Sequence, residues 1–245
     1  MARMRHFFIC GSLFAALLIS TTAQAENLIV YSAKGVSYQS GEMIDGSQPL
    51  ALKPGEEVSL ISPTGRMIKL VGPYEGAPLG KGEKQEKKSV KEAIKNLLTA
   101  SGSASESFGI TRSADDLFKL AAKPAPLPNP WVIDVTQNGP YCYLEGESLV
   151  FWRPEKNRVA SVNLEIPERG WSAKAEWASG KSKLAPPRTI PLHNGVSVQI
   201  TLDNQKVSGI MNRIPRTVQS AAVQAAWLKE RGCLPQFLTL AHSML

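Results

Sequence analysis

Apolar positions between residues 27 and 72 occur in short runs separated by turn-forming residues. The runs are Leu28–Val30, Leu50–Leu52, Val58–Ile61 and Met67–Val71. Pro54-Gly55 and Thr64-Gly65 lie between runs, and such pairs favour turns because proline presets φ and glycine tolerates positive φ. The pattern predicts a small antiparallel β module over residues 26–76.

Residues 77–130 lack this β pattern and read as a charged and helical connector. Residues 81–88 contain no apolar side chain that a core could bury. Ser89 is a plausible N-cap for a helix whose apolar residues Val90, Ile94, Leu97 and Leu98 share one face. A second short helix is predicted from Ser113, and the proline-rich residues 123–130 predict an extended linker.

Residues 131–245 contain all five tryptophans of the chain, which places the larger core there. Short β-prone runs alternate with turn signals such as Asn194-Gly195, a pattern typical of a sandwich or barrel. The predicted strands are Trp131–Val135, Tyr141–Leu144, Ser148–Trp152, Arg158–Ile166, Trp171–Trp177, Arg188–Leu192, Val196–Leu202 and, more weakly, Lys206–Met211. Helices are predicted over Val218–Glu230 and Pro235–Ser243. The fold class is therefore mainly β with helices, with a β-sandwich-like C-terminal domain that ends in two helices.

Residues 1–25 have the features of a cleavable secretory signal peptide. Arg3 and Arg5 precede an apolar run from Phe7 to Ile19, and Ala23-Gln24-Ala25 forms a small-residue cleavage site. A membrane anchor is the alternative, but the run is shorter than the roughly 20 residues that cross a bilayer. A lipoprotein would require Cys10 at the end of the run, whereas Cys10 lies inside it. We expect a periplasmic or secreted protein that begins at Glu26 and has no transmembrane segment after cleavage.

Charge does not identify a partner. Cleavage would lower the formal net charge from +7 to +5, because the signal segment contains Arg3 and Arg5 and no acidic residue. The run from Lys81 to Lys95 could form a polyanion-binding patch, with Lys84, Lys87, Lys88 and Lys91 as its candidate residues. Interleaved acids and the absence of aromatic residues favour a solvated connector, and we expect no nucleic-acid partner.

The sequence provides little catalytic or metal-binding chemistry. Beyond the signal segment only His193, His242, Cys142 and Cys233 remain of the usual ligands, and no pair has a metal-binding spacing. Gly180-Lys181-Ser182 resembles the end of a P-loop but lacks its first glycine. We therefore assign no catalytic residue, cofactor or metal. A glycosidase-like carboxylate pair stays open among Asp134, Glu145, Glu147, Glu165 and Glu168.

Cys142 and Cys233 are expected to form one intramolecular disulfide. Cleavage removes Cys10 and leaves an even number of cysteines in an oxidising compartment, where thiols are usually paired. The bond would dock the C-terminal helices on the sandwich. The alternative is two buried thiols that pack as small apolar side chains.

Two parts of the chain resemble known kinds of exported protein. Gly35–Gly41, Leu50–Leu60 and Gly65–Leu70 resemble the short-strand pattern of FecR-type periplasmic modules. Asn138–Cys142, Leu149–Pro154 and Ala226–Gln236 are similar to segments of uncharacterised exported proteins of Gram-negative bacteria. The resemblance implies no catalytic residues. FecR regulators also have a transmembrane segment and a cytoplasmic part, which this sequence lacks, so transmembrane signalling is not implied.

These observations favour a non-enzymatic binding or scaffolding module of the cell envelope, whose partner would be an envelope protein or polymer. The alternative is an envelope hydrolase that acts on cell-wall or sugar polymers through a carboxylate pair. A third class is a polyanion-associated surface protein, whose binding would weaken steeply with salt.

Overall fold

The computed structural model describes residues 26–80, 90–99 and 127–245. Several predictions lie wholly or partly outside these residues: the signal peptide, the charged segment 81–88 with lysines 84, 87 and 88 of the possible polyanion patch, the Ser89 N-cap, the helix from Ser113 and the linker over residues 123–130. All of them stay predictions.

Residues 27–76 form the predicted antiparallel β module. Its strands are β1 (Asn27–Lys34), β2 (Met43–Asp45), β3 (Leu50–Leu52), β4 (Glu57–Ile61), β5 (Met67–Val71) and β6 (Tyr74–Gly76). One sheet has the order β2-β1-β4-β5, β3 pairs with β6, and every pairing is antiparallel. Gly55 and Gly65 have φ of 87° and 80°, which confirms the two turns inferred from their positions.

Residues 132–214 form two further sheets. Their strands are β7 (Val132–Asp134), β8 (Gly139–Leu144), β9 (Val150–Trp152), β10 (Ala160–Ile166), β11 (Trp171–Trp177), β12 (Lys183–Leu184), β13 (Val196–Leu202) and β14 (Gln205–Ile214). The larger sheet has the order β11-β10-β13-β14-β8 and the smaller one β12-β9-β7. Apolar side chains from both sheets form one core cluster, so the predicted mainly β, sandwich-like architecture is confirmed.

The prediction of a strand at Arg188–Leu192 is wrong. This segment contains no strand; instead the Ile190 amide donates to the carbonyl of Pro187, and the Leu192 amide donates to that of Ile190. Pro191 has no amide hydrogen to give to a sheet, which explains why the apolar alternation did not produce a strand. Ile190 and Leu192 still pack against the sandwich core.

Three helices complete the described fold: α1 (Val90–Thr99), α2 (Ala221–Glu230) and α3 (Leu234–His242). The helix predicted over Val218–Glu230 begins three residues later, after Ser220 in an extended conformation. Gly232 has φ of 73° and ends α2 as expected. None of the helices in the described residues is long and apolar enough to cross a membrane.

A second core cluster joins segments that are far apart in the sequence. It contains Ile29 and Ile61 of the β module, Ile94 of α1, and the fully buried Trp227 of α2. The Tyr31 ring meets the Trp227 ring edge-on at 5.1 Å, and the Arg231 guanidinium lies 4.6 Å from the centre of the Tyr31 ring. The boundaries at 76 and 130 remain predictions, and this core draws residues from both sides of each boundary.

Helix α3 is tied to strand β8 by one covalent bond and several hydrogen bonds. Cys142 and Cys233 form the predicted disulfide, with their Cα atoms 6.0 Å apart. The buried Gln236 accepts from the amide of Cys142 and donates to the carbonyls of Cys142 and Pro130, each at 2.8 Å. The Gln236 amide therefore replaces a neighbouring strand at the outer edge of β8.

Candidate binding face

The outer face of the five-stranded sheet is polar because β10 and β13 alternate strictly. Their inward positions are buried and apolar, and their outward positions are Ser161, Asn163 and Glu165 on β10 and Ser197, Gln199 and Thr201 on β13. This alternation is expected of an antiparallel sheet with one face on the core. It sets the polar side chains on one surface of the sheet.

The strand register aligns these side chains in two rows across four strands. One row is Lys174, Asn163, Thr201 and Lys206; the other is Ser172, Glu165, Gln199 and Ser208. With strands about 4.8 Å apart, each row spans about 14 Å. We call these eight residues the polar face.

Part of the polar face is already hydrogen-bonded, and part is available. The Asn163 side-chain amide donates to Glu165 at 2.7 Å, whereas its Oδ1 is buried without a partner among the described residues. Among those residues, the side chains of Gln199, Thr201 and Ser208 make no hydrogen bond to protein. They offer both donors and acceptors to a ligand.

Four residues of the polar face are exposed and the other four are half-buried; the exposed ones are Ser172, Lys174, Lys206 and Ser208. Helices α2 and α3 pack on the other end of the outer sheet face, where Cys142 and Ile214 belong to the second core cluster. Ile210 lies between them and the polar face and is 49% exposed. Sequence reasoning predicted β10 and β13 but missed this surface; the signal was the exclusively polar outward positions of both strands.

A second candidate is a groove of about 540 Å³ beside the end of β14. Glu145 and Glu147, both candidates for a carboxylate pair, line it together with Arg216. Glu145 is engaged in structure, since one oxygen pairs with Arg213 at 3.0 Å and the other accepts from the Arg216 amide at 3.3 Å. Glu147 is exposed.

The other candidate carboxylates serve the fold or lie on the surface. The Asp134 carboxylate accepts from the amide and hydroxyl of Thr136, and burial raises its pKa although these bonds oppose the shift. Glu165 belongs to the polar face. Glu168 pairs with the His193 ring at 3.3 Å in a half-exposed contact. The described residues contain no group of three or more His, Cys, Asp or Glu side chains able to hold a metal.

A third candidate is a groove of about 360 Å³ between the β4–β5 turn, α1 and α2. Its lining is largely apolar and includes Met67, Ala93 and Ala226. Lys229 lies at its edge and donates to the Leu97 carbonyl at 2.8 Å, and burial lowers the pKa of Lys229. Lys229 thus satisfies a carbonyl in the last turn of α1, where carbonyls lack partners within the helix.

Two charged side chains that suggest function are occupied by structural contacts. Arg153 is 1% exposed and donates to the carbonyls of Arg158, Trp177, Ala178 and Lys181, while its guanidinium lies 5.0 Å from the centre of the Trp177 ring. Lys91, from the possible polyanion patch, donates to the Leu245 carbonyl at 2.7 Å. The structure therefore gives Lys91 a role at the C-terminus, and polyanion binding stays a prediction.

The chain matches no protein-family model, and no curated protein is significantly similar to it. The FecR-type resemblance therefore remains an inference from the residues quoted above.

Proposed function

We propose that this protein is an exported, non-enzymatic binding module of the cell envelope, and that its polar face holds a hydroxyl-rich polymer. The observation that carries the proposal is the pair of polar rows across four strands, in which four of the eight residues are exposed. A polar surface that crosses four strands suits an extended ligand, which can contact several strands at once.

The side chains of the polar face match the hydrogen-bonding needs of a polysaccharide. A sugar hydroxyl both donates and accepts, as do the Gln199 amide and the Thr201 hydroxyl, while Glu165 accepts and Lys206 donates. The face contains no aromatic ring on which a sugar could stack. Affinity must therefore come from many weak hydrogen bonds along the polymer, each worth about 1 kcal/mol.

Two features support a location outside the cytoplasm. The first 25 residues have the order of charge, apolar run and small residues that defines a secretory signal. The disulfide between Cys142 and Cys233 fits an oxidising compartment, because cytosolic thiols are normally kept reduced. Together they support export to the periplasm or beyond.

Co-sedimentation with insoluble cell-wall polymer, together with titration of soluble glycans, tests the proposal. The double variant Gln199→Ala/Thr201→Ala should bind about 10-fold more weakly, because it removes hydrogen-bonding groups from both rows. Gln39→Ala is the matched control, since Gln39 is exposed and lies outside both the polar face and the groove beside β14. Equal binding by the double variant and the control would refute the proposal, as would no binding to any envelope polymer.

The hydrolase alternative has its best location in the groove that Glu145 and Glu147 line together. The assay is release of reducing ends from cell-wall and sugar polymers by the protein and by Glu147→Gln. Activity that disappears in Glu147→Gln would favour the hydrolase. Binding without product release would favour the binding module.

A further inference from the structure

Strand β11 has one unpaired edge. It pairs with β10 in an uninterrupted register over all seven residues, from Trp171 opposite Ile166 to Trp177 opposite Ala160. No described strand lies on its other side. The strand contains no proline and no bulge, two of the features that commonly block an edge.

The direction of the free backbone groups follows from the neighbouring strands. The carbonyl of Ser161 accepts from the Asp203 amide, so the backbone of Ser161 faces β13. Backbone amides and carbonyls point alternately to the two neighbouring strands. The β10 residues whose backbone groups point to β11 are therefore the buried, apolar ones. The β11 residues paired with them direct their backbone groups to β10; these are Trp171, Ala173, Ala175 and Trp177. The amides and carbonyls of Ser172, Lys174 and Glu176 are therefore left at the free edge.

We infer that this edge binds a second copy of the chain, through antiparallel pairing of β11 with β11 in which Lys174 of each copy lies opposite Glu176 of the other. The free backbone groups limit the choice of registers. The free backbone groups of the two copies can form hydrogen bonds only in registers that set even-numbered residues opposite one another. Placing Lys174 opposite its own copy would oppose like charges, which destabilises a cross-strand pair.

The chosen register satisfies charge and shape together. It makes two equivalent Lys174–Glu176 pairs on the exposed face and four backbone hydrogen bonds between the copies. Ala175 lies on the two-fold axis and is exposed, and Ala173 lies opposite Trp177. Small side chains at these positions leave room for the second strand.

The pairing would join two five-stranded sheets into one. The two-fold axis is perpendicular to the sheet, so both polar faces lie on the same side. A polymer long enough to reach both would be held bivalently, which raises avidity without any new contact type. The dimer does not depend on the proposed function, because a strand edge can pair whether or not the polar face binds a polymer.

Sedimentation velocity across a concentration series, up to about 1 mM, tests the inference. We expect a reversible, concentration-dependent dimer, because an interface of one short strand pair is smaller than the 1,200 Å² or so typical of stable complexes. A chain that stays monomeric over the whole series would overturn the inference.

Charge reversal identifies the surface. Lys174→Glu and Glu176→Lys should each weaken dimerisation about 10-fold, since each opposes like charges twice. The double variant Lys174→Glu/Glu176→Lys should restore it to within about 3-fold. Lys206→Glu, on the same face but away from the edge, is the matched control. The proposed pairing would be overturned if the single variants dimerised as tightly as the unmodified chain, or if the double variant dimerised as weakly as the single ones.

A backbone test separates strand pairing from simple charge attraction. Lys174→Pro removes an amide hydrogen that faces the free edge and leaves the bonds between β10 and β11 in place. Circular dichroism should show an intact fold, and dimerisation should fall at least 10-fold. A folded Lys174→Pro variant that dimerises like the unmodified chain would overturn the inference.

Discussion

Breaking the Cys142–Cys233 disulfide should destabilise the protein substantially without preventing it from folding. The bond joins positions 91 residues apart, and loop-closure entropy limits its contribution to about 4.5 kcal/mol. Gln236 and the fully buried Phe237 continue to hold α3 against the sheet after reduction. We therefore expect a loss of about 3–4.5 kcal/mol and a native fold in the absence of denaturant.

Thermal and urea unfolding of the oxidised and the reduced protein measure this loss. Trp177 and Trp227 are both fully buried, so their fluorescence follows unfolding in different parts of the molecule. For a chain of this size we expect the melting temperature to fall by roughly 10–15 °C on reduction. Mass measurement after alkylation of the chain that begins at Glu26, which lacks Cys10, must show two labels on the reduced form and none on the oxidised one.

The double variant Cys142→Ala/Cys233→Ala separates the bond from side effects of the reductant. It should unfold close to the reduced protein, and adding reductant should not change its melting temperature. If the fully reduced protein melted within about 2 °C of the oxidised one, the reasoning from loop closure would be refuted.

Three further changes test other contacts. Gln236→Leu should cost about 2–4 kcal/mol in urea unfolding, because it leaves backbone groups of Cys142 and Pro130 buried without partners; the exposed Gln219→Leu should cost almost nothing, and equal costs would contradict this account. Arg153→Met should lower the free energy of unfolding by about 2–4 kcal/mol in the same assay. Arg153→Lys should restore only part of this free energy, because lysine lacks the planar guanidinium that reaches several carbonyls. Full restoration by lysine would show that the positive charge alone suffices. Burial raises the pKa of Tyr141 to about 12 from the ordinary value of 10.0, so its contribution to stability is present below pH 10.0 and is lost as the pH rises toward 12. Tyr141→Phe should show a smaller fall in stability over that range, and equal falls would mean that the phenol of Tyr141 does not titrate in the folded state as described.

Local patterns in the sequence were sufficient to predict most of the strands and the disulfide. Trp171–Trp177 and Val196–Leu202 are strands with the predicted bounds, because their alternation is long and unbroken. The segment Arg188–Leu192 alternates in a similar way, but Pro191 has no amide hydrogen for a sheet. Backbone chemistry therefore overrode the hydrophobic pattern.

Contacts between distant segments could not be predicted from these patterns. Strand β8 pairs in parallel with β14, and β7 pairs in parallel with β9, whereas alternation specifies a buried face and not a neighbour. The same limit applies to Gln236, which lies in a predicted helix but satisfies the backbone of Cys142. The rows of the polar face depend on strand register, so its members were visible in the sequence but their alignment was not.

The parallel pairing of β8 with β14 also affects when the C-terminal part can fold. A chain that is synthesised, or carried across a membrane, from its N-terminus exposes residues 139–144 well before residues 205–214. Within the described chain, β8 lacks its strand partner until residue 214 has emerged, and it lacks the capping amide of Gln236 until residue 236 has emerged. The edges of β8 therefore stay unpaired through the emergence of the residues that separate it from β14 and Gln236, and its folding depends on these long-range contacts.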